Sequence, residues 1–318
     1  MYPSYIEAYN SGNLDKVAEK TFKMLESCSI CPRRCKVNRL KDEKGFCKTG
    51  LKPKVYNFMA HHGEEPPISG ENGSGTIFFS NCNMACVYCQ NYEFSQVGEG
   101  REVDFEELAD FMLQLQQMNC HNINLVTPTH VLPQIINALK IAVSKGLTIP
   151  LVYNTGGYEL AEIIKLLAGI VDIYLPDMRY VDNAAAIKYS NAPDYPEYNQ
   201  EALREMHRQV GIAKFDKENI IKRGLIIRHL VLPDNISGTD KVMRFIGDEL
   251  SADTYISLMS QYFPCYKAGQ FTEISRRITP EEYTEAKRIM QRYGLNKGWL
   301  QESYGLERFA GINIKPAF

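Results

Sequence analysis

Six short apolar runs alternate with helical patterns through the middle of this sequence, and that alternation constrains its fold more than any other feature. The runs occupy residues 76–80, 123–127, 149–154, 171–175, 224–231 and 254–259. Between them lie amphipathic patterns over 104–118, 131–145, 158–168, 197–212 and 239–250. Strands that are apolar throughout are buried on both faces, as in a parallel sheet covered by helices. Six β/α units are fewer than the eight of a closed barrel. The expectation is therefore an α/β fold, a partial (β/α)6 TIM-like barrel with an open edge. Asp104, with Glu107 three residues on, has the form of a capping box, and Thr279 followed by Pro280 starts a last helix. The expected organisation is a helix (14–27) and cysteine-rich extension within 1–75, the barrel over 76–278, and a C-terminal helix and tail over 279–318. The stretch "HHGEEPPISGENGSG" reads as an ordered irregular loop, with His61 and His62 facing water or, as the alternative, serving as ligands or substrate contacts. Residues 191–211 depart from the alternation and read as an excursion on the substrate side.

Parallel α/β folds gather ligands at the carboxyl ends of their strands. The first run passes directly into "SNCNMACVYCQN" (80–91), which separates Cys82, Cys86 and Cys89 by three and then two residues. Seven of the nine cysteines fall within the first 89 residues. No apolar run approaches a membrane span, the N-terminus has no signal-type apolar core, and a net charge of −2 gives no global field for nucleic acid. A cytoplasmic chain with reduced thiols is expected, in which metal or redox chemistry accounts for cysteines better than disulfides do. Cys120 and Cys265 stand alone and read as small buried hydrophobes. A tetrahedral zinc site takes four protein ligands, whereas three thiolates can hold three irons of a [4Fe–4S] cluster and leave the fourth to an exogenous ligand.

The Cys-x3-Cys-x-aromatic-Cys spacing, with Tyr88 directly before Cys89, resembles the signature of the radical S-adenosylmethionine (SAM) superfamily. The resemblance implies that Cys82, Cys86 and Cys89 hold the cluster and that SAM chelates the open iron. Reductive cleavage of SAM then gives a 5′-deoxyadenosyl radical that abstracts a hydrogen atom. Further motifs resemble the pyruvate formate-lyase activating enzyme branch. "YNTGGYE" is similar to its Asp-Thr-Asn-Gly segment, "LPDMRY" to its Leu-Asp-Leu-Lys segment, and "IIRHLVLP" to its Ile-Arg-Tyr-Val-Val-Val-Pro strand. By that likeness Tyr88, Asn154, Thr155, Asp177, Arg179 and Arg228 surround SAM, Arg179 meets its carboxylate, and a monovalent cation sits near the Asn154 and Asp177 loops. Where the family carries Gly-Gly-Glu-Pro for the SAM amino group, this chain has "VTPTHVLP", offering Thr127, Thr129 and His130; His130 is a candidate proton donor or acceptor, or a helix cap. From "CSICPRRCKVNR" to "YKA" the whole chain resembles iron–sulfur proteins grouped with the pyruvate formate-lyase activating enzymes.

"CSICPRRC" and "GFC" supply a second and complete set, Cys28, Cys31, Cys35 and Cys47. Structural Zn²⁺ and an auxiliary iron–sulfur cluster both fit four thiolates at this spacing. Arg33, Arg34, Lys36 and Arg39 either offset thiolate charge or form a solvated face. The leading functional expectation is a radical SAM enzyme acting on a protein, peptide or small molecule, including activation of a glycyl radical enzyme, with flavodoxin or ferredoxin as electron donor. The alternative is an iron–sulfur electron-transfer or scaffold protein without SAM chemistry, which needs a fourth ligand such as Cys120 or Cys265. A zinc-ribbon binding module ranks last, because it leaves six β/α units without a task.

Overall fold

The computed structural model describes residues 3–301 together with Lys315 and Pro316, so most of the expected C-terminal tail lies outside the described residues. The chain begins with α1 (Ser4–Asn10) and α2 (Asn13–Lys23), then β1 (Lys54–His61), α3 (Pro66–Ser69) and β2 (Ser74–Phe79). It continues through β3 (Arg101–Glu102), α4 (Phe105–Gln117), β4 (Ile123–Val126), α5 (Leu132–Ser144), β5 (Leu151–Thr155), α6 (Ala161–Leu166) and β6 (Ile173–Pro176). Next come α7 (Asn183–Ser190), α8 (Tyr195–Val210), β7 (Lys214–Phe215), β8 (Ile221–Leu230) and α9 (Thr239–Phe245). The last elements are β9 (Tyr255–Met259), α10 (Pro280–Arg292) and β10 (Gly298–Leu300).

One sheet runs in the order β10-β9-β8-β6-β5-β4-β2-β1-β3, with β7 beside β8. The six anticipated strands, β2, β4, β5, β6, β8 and β9, are mutually parallel and follow chain order. The α/β partial barrel is the observed architecture. Two edge additions escaped the pattern: β10 extends the parallel set beside β9, and β1 lies antiparallel on β2. The three residues of β10 are too few to show a period. β1 therefore joins the extension to the barrel sheet, and the boundary expected at 75/76 falls inside β2. One hydrophobic core runs from Tyr5 and Leu14 through Ile135 and Leu139 to Ile256 and Met290. The first helix is also tied down by hydrogen bonds: Ser4 N donates to Asp172 Oδ1 at 2.8 Å and the Tyr5 hydroxyl to the Ile149 carbonyl at 2.7 Å.

Local capping chemistry sets two helix starts. Thr279 accepts from Glu282 N at 3.2 Å while the Glu282 carboxylate accepts from Thr279 N at 2.7 Å, a complete capping box for α10. At α4 only half of the box forms: Asp104 accepts from Glu107 N at 2.8 Å, but the Glu107 carboxylate turns to Arg101 instead. Among the described residues no helix is long and apolar enough to cross a membrane.

The connection between β1 and β2 differs most from expectation. His61 pairs with Ser74 at the start of β2, so this connection turns back at the amino ends of the parallel strands. Pro66 opens α3, and Ile68 is fully buried inside the barrel against Val152, Ile173, Leu175 and Ile226. Asn122 Nδ2 donates to the Ile68 carbonyl at 2.8 Å, which holds the plug in place. Burying an isoleucine side chain stabilises by about 1.5–3 kcal/mol, enough to draw this short segment inward. Glu64 and Glu65 enter the barrel with it and line its cavity; half-buried His61 and exposed His62 line it too.

Candidate active site

At the carboxyl end of β2, Asn81 takes a left-handed conformation (φ 71°), and its amide donates to the Phe94 carbonyl at 2.8 Å. The cysteine loop that follows is held from α7: Ala85 N donates to Ser190 O at 2.9 Å and Val87 N to Tyr189 O at 2.8 Å. Each thiol of the triplet then meets a donor. Met84 N reaches Cys82 Sγ at 3.3 Å, the Ser190 hydroxyl donates to Cys86 Sγ at 3.0 Å, and Ser95 Oγ lies 3.1 Å from Cys89 Sγ. Arg179 Nη1 adds a positive charge 3.9 Å from Cys86 Sγ. The Tyr88 hydroxyl bonds to that of Tyr180, which lies 2.8 Å from Ser190 Oγ. Burial, followed by the Cys86 charge, pushes Cys82 far above the usual thiol range and Cys89 up to about 11. Mutually repelling buried thiols surrounded by donors suit a cationic centre that takes them as thiolates, and this donor set fits three corners of an iron–sulfur cluster.

The next three strand ends converge on the same place. Arg228 Nε donates to Asp177 Oδ1 at 2.8 Å and its Nη2 to Asn154 Oδ1 at 2.7 Å, while Arg179 bonds to Asp177 Oδ2. Asn154, Asp177, Arg179 and Arg228, four positions carried over by resemblance, thus form one network. Both Asp177 oxygens are occupied by guanidinium groups. The expected monovalent cation would meet two positive charges there, so these residues do not form such a site. Arg179 Nε is buried without a hydrogen-bond partner among the described residues, an unused donor on a side chain that lines the cavity. From α8, Asn199 Nδ2 donates to Asp177 O at 2.9 Å and Gly157 O at 3.0 Å, and Tyr195 donates to Gly156 O at 2.9 Å. Gly157 has φ +78°, and a Cβ there would collide with Asn199 and the Asp177 carbonyl, which explains the glycine pair in "TGGY". The 191–211 segment does not line the large cavity; it braces these loops from outside, a correction to the substrate-side expectation.

After β4, Thr127 turns with φ 61°, lines the cavity, and donates its amide to Asn154 O at 2.8 Å. Thr155 lines the cavity as well, whereas Thr129 does not. The hydroxyls of Thr129 and Thr155 both donate to the Glu159 carboxylate, with the Tyr153 hydroxyl 3.4 Å from Glu159 Oε2. Glu159 is completely buried, and burial raises its pKa to about 7. His130, considered as a proton donor or acceptor or a helix cap, does not reach the large cavity. Its Nε2 donates to the Ser80 carbonyl at 2.8 Å, and burial lowers its pKa to about 4. It lies instead beside the four-cysteine set.

Cys28, Cys31, Cys35 and Cys47 line one small closed hollow with Arg39 and His130. Gly45 lies so close that a Cβ would fall 2.7 Å from Cys35 Cβ and 2.8 Å from its sulfur. Only glycine leaves this cradle open, an arrangement that fits a group held by four thiolates. The basic run divides: Arg39 is buried and donates to the Gly50 and His130 carbonyls at 3.1 and 2.8 Å, whereas Arg34 and Lys36 are exposed. Arg33 stands between the two thiol sets, stacked 3.6 Å over Phe46 and donating to the Asn83 carbonyl at 3.0 Å. Among the described residues no three His, Cys, Asp or Glu side chains crowd a single ion position. Cys120 is buried in the core as expected, but half-buried Cys265 lies next to the triplet, with its thiol donating to the Tyr88 carbonyl at 3.3 Å.

Tyr88, Cys89, Arg179 and Arg228 open onto a cavity of about 720 Å³ that Glu64, Glu65 and Trp299 also line. Hydropathy gave no warning of the two glutamates; the only available signal was an acidic pair placed directly before Pro-Pro.

Comparison with known proteins gives a consistent result. The family model described as Radical SAM superfamily matches residues 76–246, more than half of the chain. The chain is 32% identical over 294 residues to uncharacterized protein MJ0674 of Methanocaldococcus jannaschii, covering 89% of this chain and 80% of that protein. It is 24% identical over 286 residues to uncharacterized protein MJ0808 of the same organism, covering 80% and 78%. Among solved structures, a radical SAM methyltransferase from Sphaerobacter thermophilus superposes with a TM-score of 0.51 at 16% identity, over 73% of this chain and 67% of that one. At that identity the likeness speaks for the fold alone.

Proposed function

Because this chain belongs to the radical SAM superfamily, whose members cleave SAM at an iron–sulfur cluster, we propose that it directs the resulting radical onto a substrate held in the 720 Å³ cavity. Cys82, Cys86 and Cys89 would hold three corners of a [4Fe–4S] cluster, which would supply the one electron for reductive cleavage of SAM and so the radical that takes a hydrogen atom from the substrate. Arg179 grips the SAM carboxylate with its unpartnered Nε, held in place by Asp177 and by Tyr195, which accepts its backbone amide at 3.1 Å. Thr127, at the position of the missing Gly-Gly-Glu segment, faces the SAM amino group. Ser95, Ser190 and the Met84 amide donate to the thiolates, and Tyr88 closes the cavity beside them. A flavodoxin or ferredoxin supplies the electron. The substrate class includes protein, peptide and small molecule, and activation of a glycyl radical enzyme is one form of the first.

The single observation that carries this reading is the convergence of the three-thiol loop and the Arg179–Asp177–Arg228–Asn154 network on one large cavity. Anaerobic incubation of reconstituted, dithionite-reduced protein with SAM should release 5′-deoxyadenosine. No product from protein carrying four reducible irons at the triplet would overturn the proposal. The position of Cys265 beside Cys89 favours a second reading, an electron carrier in which Cys265 completes the ligand set. In that case Cys265→Ala loses the cluster, and SAM leaves the paramagnetic resonance of the reduced cluster unchanged.

A further inference from the structure

The triplet is one chemical feature of the cavity. Adjoining it through Arg179, three carboxylates (Glu64, Glu65, Asp177) face two guanidinium groups (Arg179, Arg228). Asp177 takes the short contacts of both arginines. Glu64 has a long contact of 3.7 Å to Arg228 and accepts from Asn154 Nδ2 at 3.4 Å. Glu65 is 9% exposed and lines the cavity with Ser257 beside it, and among the described residues its Oε2 has no hydrogen-bond partner. Of the two histidines that line the same cavity, burial keeps His61 below its usual pKa, so it adds no compensating cation at neutral pH. Burial raises the pKa of both Glu64 and Glu65, the mark of a carboxylate that is costly to hold there, and a ligand that donates to them and carries positive charge offsets that cost. The cavity lining also carries apolar side chains, Phe78, Val126, Leu230 and Met259.

We propose that Glu64 and Glu65 are the substrate-recognition residues of this cavity and that they hold a primary ammonium group carried on an apolar chain. The inference rests on the reading of the cavity as a substrate site and specifies what that substrate carries. An ammonium offers three donors: one for Glu65 Oε2, one for Glu64, and one free for Ser257 or the His61 edge. The aliphatic stem lies along the apolar side chains and points its carbons toward the triplet, where a hydrogen atom is removed. The pair is delivered by the β1–β2 connection from the amino ends of the strands and meets the strand-end network where Glu64 contacts Arg228 and Asn154.

Trp299, the single tryptophan of the chain, lines the same cavity and reports binding by its emission. Reconstituted protein is titrated with 1,5-diaminopentane and with its neutral isostere 1,5-pentanediol, without reductant. The diamine should give a saturable change and the diol none, and Glu65→Gln should weaken the diamine by about tenfold or more, the scale of one lost charge-assisted hydrogen bond. Glu64→Gln should act in the same direction, with folding of both variants checked by thermal melting. A lysine-containing tripeptide replaces the diamine in a parallel arm. Binding of the peptide assigns a polypeptide source for the ammonium group, and binding of the diamine alone assigns a small molecule. Equal binding of diol and diamine overturns the proposal. So does wild-type diamine affinity in folded Glu65→Gln, or competitive displacement of the diamine by SAM. Because the titration reads binding and not turnover, its failure is separate from any failure of SAM cleavage.

Discussion

The two cysteine sets have similar ligands and opposite surroundings. The triplet meets a donor at each sulfur and opens through Cys89 onto a large cavity; the four-cysteine set closes around a small hollow sealed by Gly45, Arg39 and His130. Three thiolates beside a cavity leave a coordination corner where a small molecule can arrive, whereas four thiolates in a closed cradle leave none. The contrast teaches that reactivity here follows from what the protein leaves open rather than from sulfur count. Arg33, wedged between the sets, keeps them as neighbours.

Removing each set in turn is the strongest way to break the comparison. Cys82, Cys86 and Cys89 replaced together by Ala should reduce 5′-deoxyadenosine formation to background and remove four irons. The Cys28/Cys31/Cys35/Cys47→Ala variant should keep those four irons while losing thermal stability. Iron and zinc counts read against product formation check both arms, and loss of the triplet irons in the second variant would show that the sets are not separable. A smaller effect tests the open corner. Arg179→Ala removes a charge-assisted hydrogen bond of about 1.5–3 kcal/mol, so KM for SAM should rise roughly 10- to 150-fold. An unchanged KM would remove Arg179 from the carboxylate.

Much of this contrast was legible in the sequence, for reasons that also mark where legibility stopped. Buried parallel strands write themselves as apolar runs, so β2, β4, β5, β6, β8 and β9 could be read with their loops. Asp177, Arg179, Arg228 and Asn154 were found because the motifs at these strands resemble those of a known family. Glu64 and Glu65 were not. Their segment looks polar and turn-rich, and it is buried because Ile68 finds an apolar pocket made by four distant residues, a tertiary effect with no local period. Glu159 was quoted within its motif yet not assigned a role, since a buried carboxyl is visible only through the hydroxyls that reach it. His130 has a site-like position in sequence, but the turn after β4 directs it to the other thiol set.

Glu159 lies where the two regions share support: it holds Thr129 and the cavity-lining Thr155 and lies within electrostatic reach of Cys31. Its carboxyl titrates near 7 when folded against a reference of 4.5. Between these values the folded chain binds the extra proton, so its contribution to stability is present below 4.5 and is lost as pH rises through 7. At about 1.4 kcal/mol per unit the loss is roughly 3 kcal/mol. Buried His130 and His229, both lowered to about 4, run the other way: their contribution is present above 6.5 and is lost as pH falls. Subtracting the melting profile of Glu159→Gln from wild type cancels the histidines. The variant should gain on wild type between pH 5 and pH 8, and parallel profiles would count against a proton on Glu159.

The finest distinction between the sets lies at a single hydroxyl. Ser190 donates to Cys86 at 3.0 Å and stands at the end of the Tyr88–Tyr180 chain, which can donate onward to it. A hydrogen bond to a cluster sulfur favours the reduced, more negative state and so raises the reduction potential. Ser190→Ala removes that donor without touching the three ligands or the Ser190 backbone carbonyl that holds the loop. Iron content and the SAM-induced change in the paramagnetic spectrum should persist, while the midpoint of the SAM-responsive cluster shifts to more negative potential in a redox titration. The potential of any cluster in the four-cysteine set serves as the internal standard, because Ser190 does not line that hollow. An equal shift of both, or of neither, would mean that this hydroxyl supports the loop alone and that the openness of the triplet is tuned by Arg179 and Ser95.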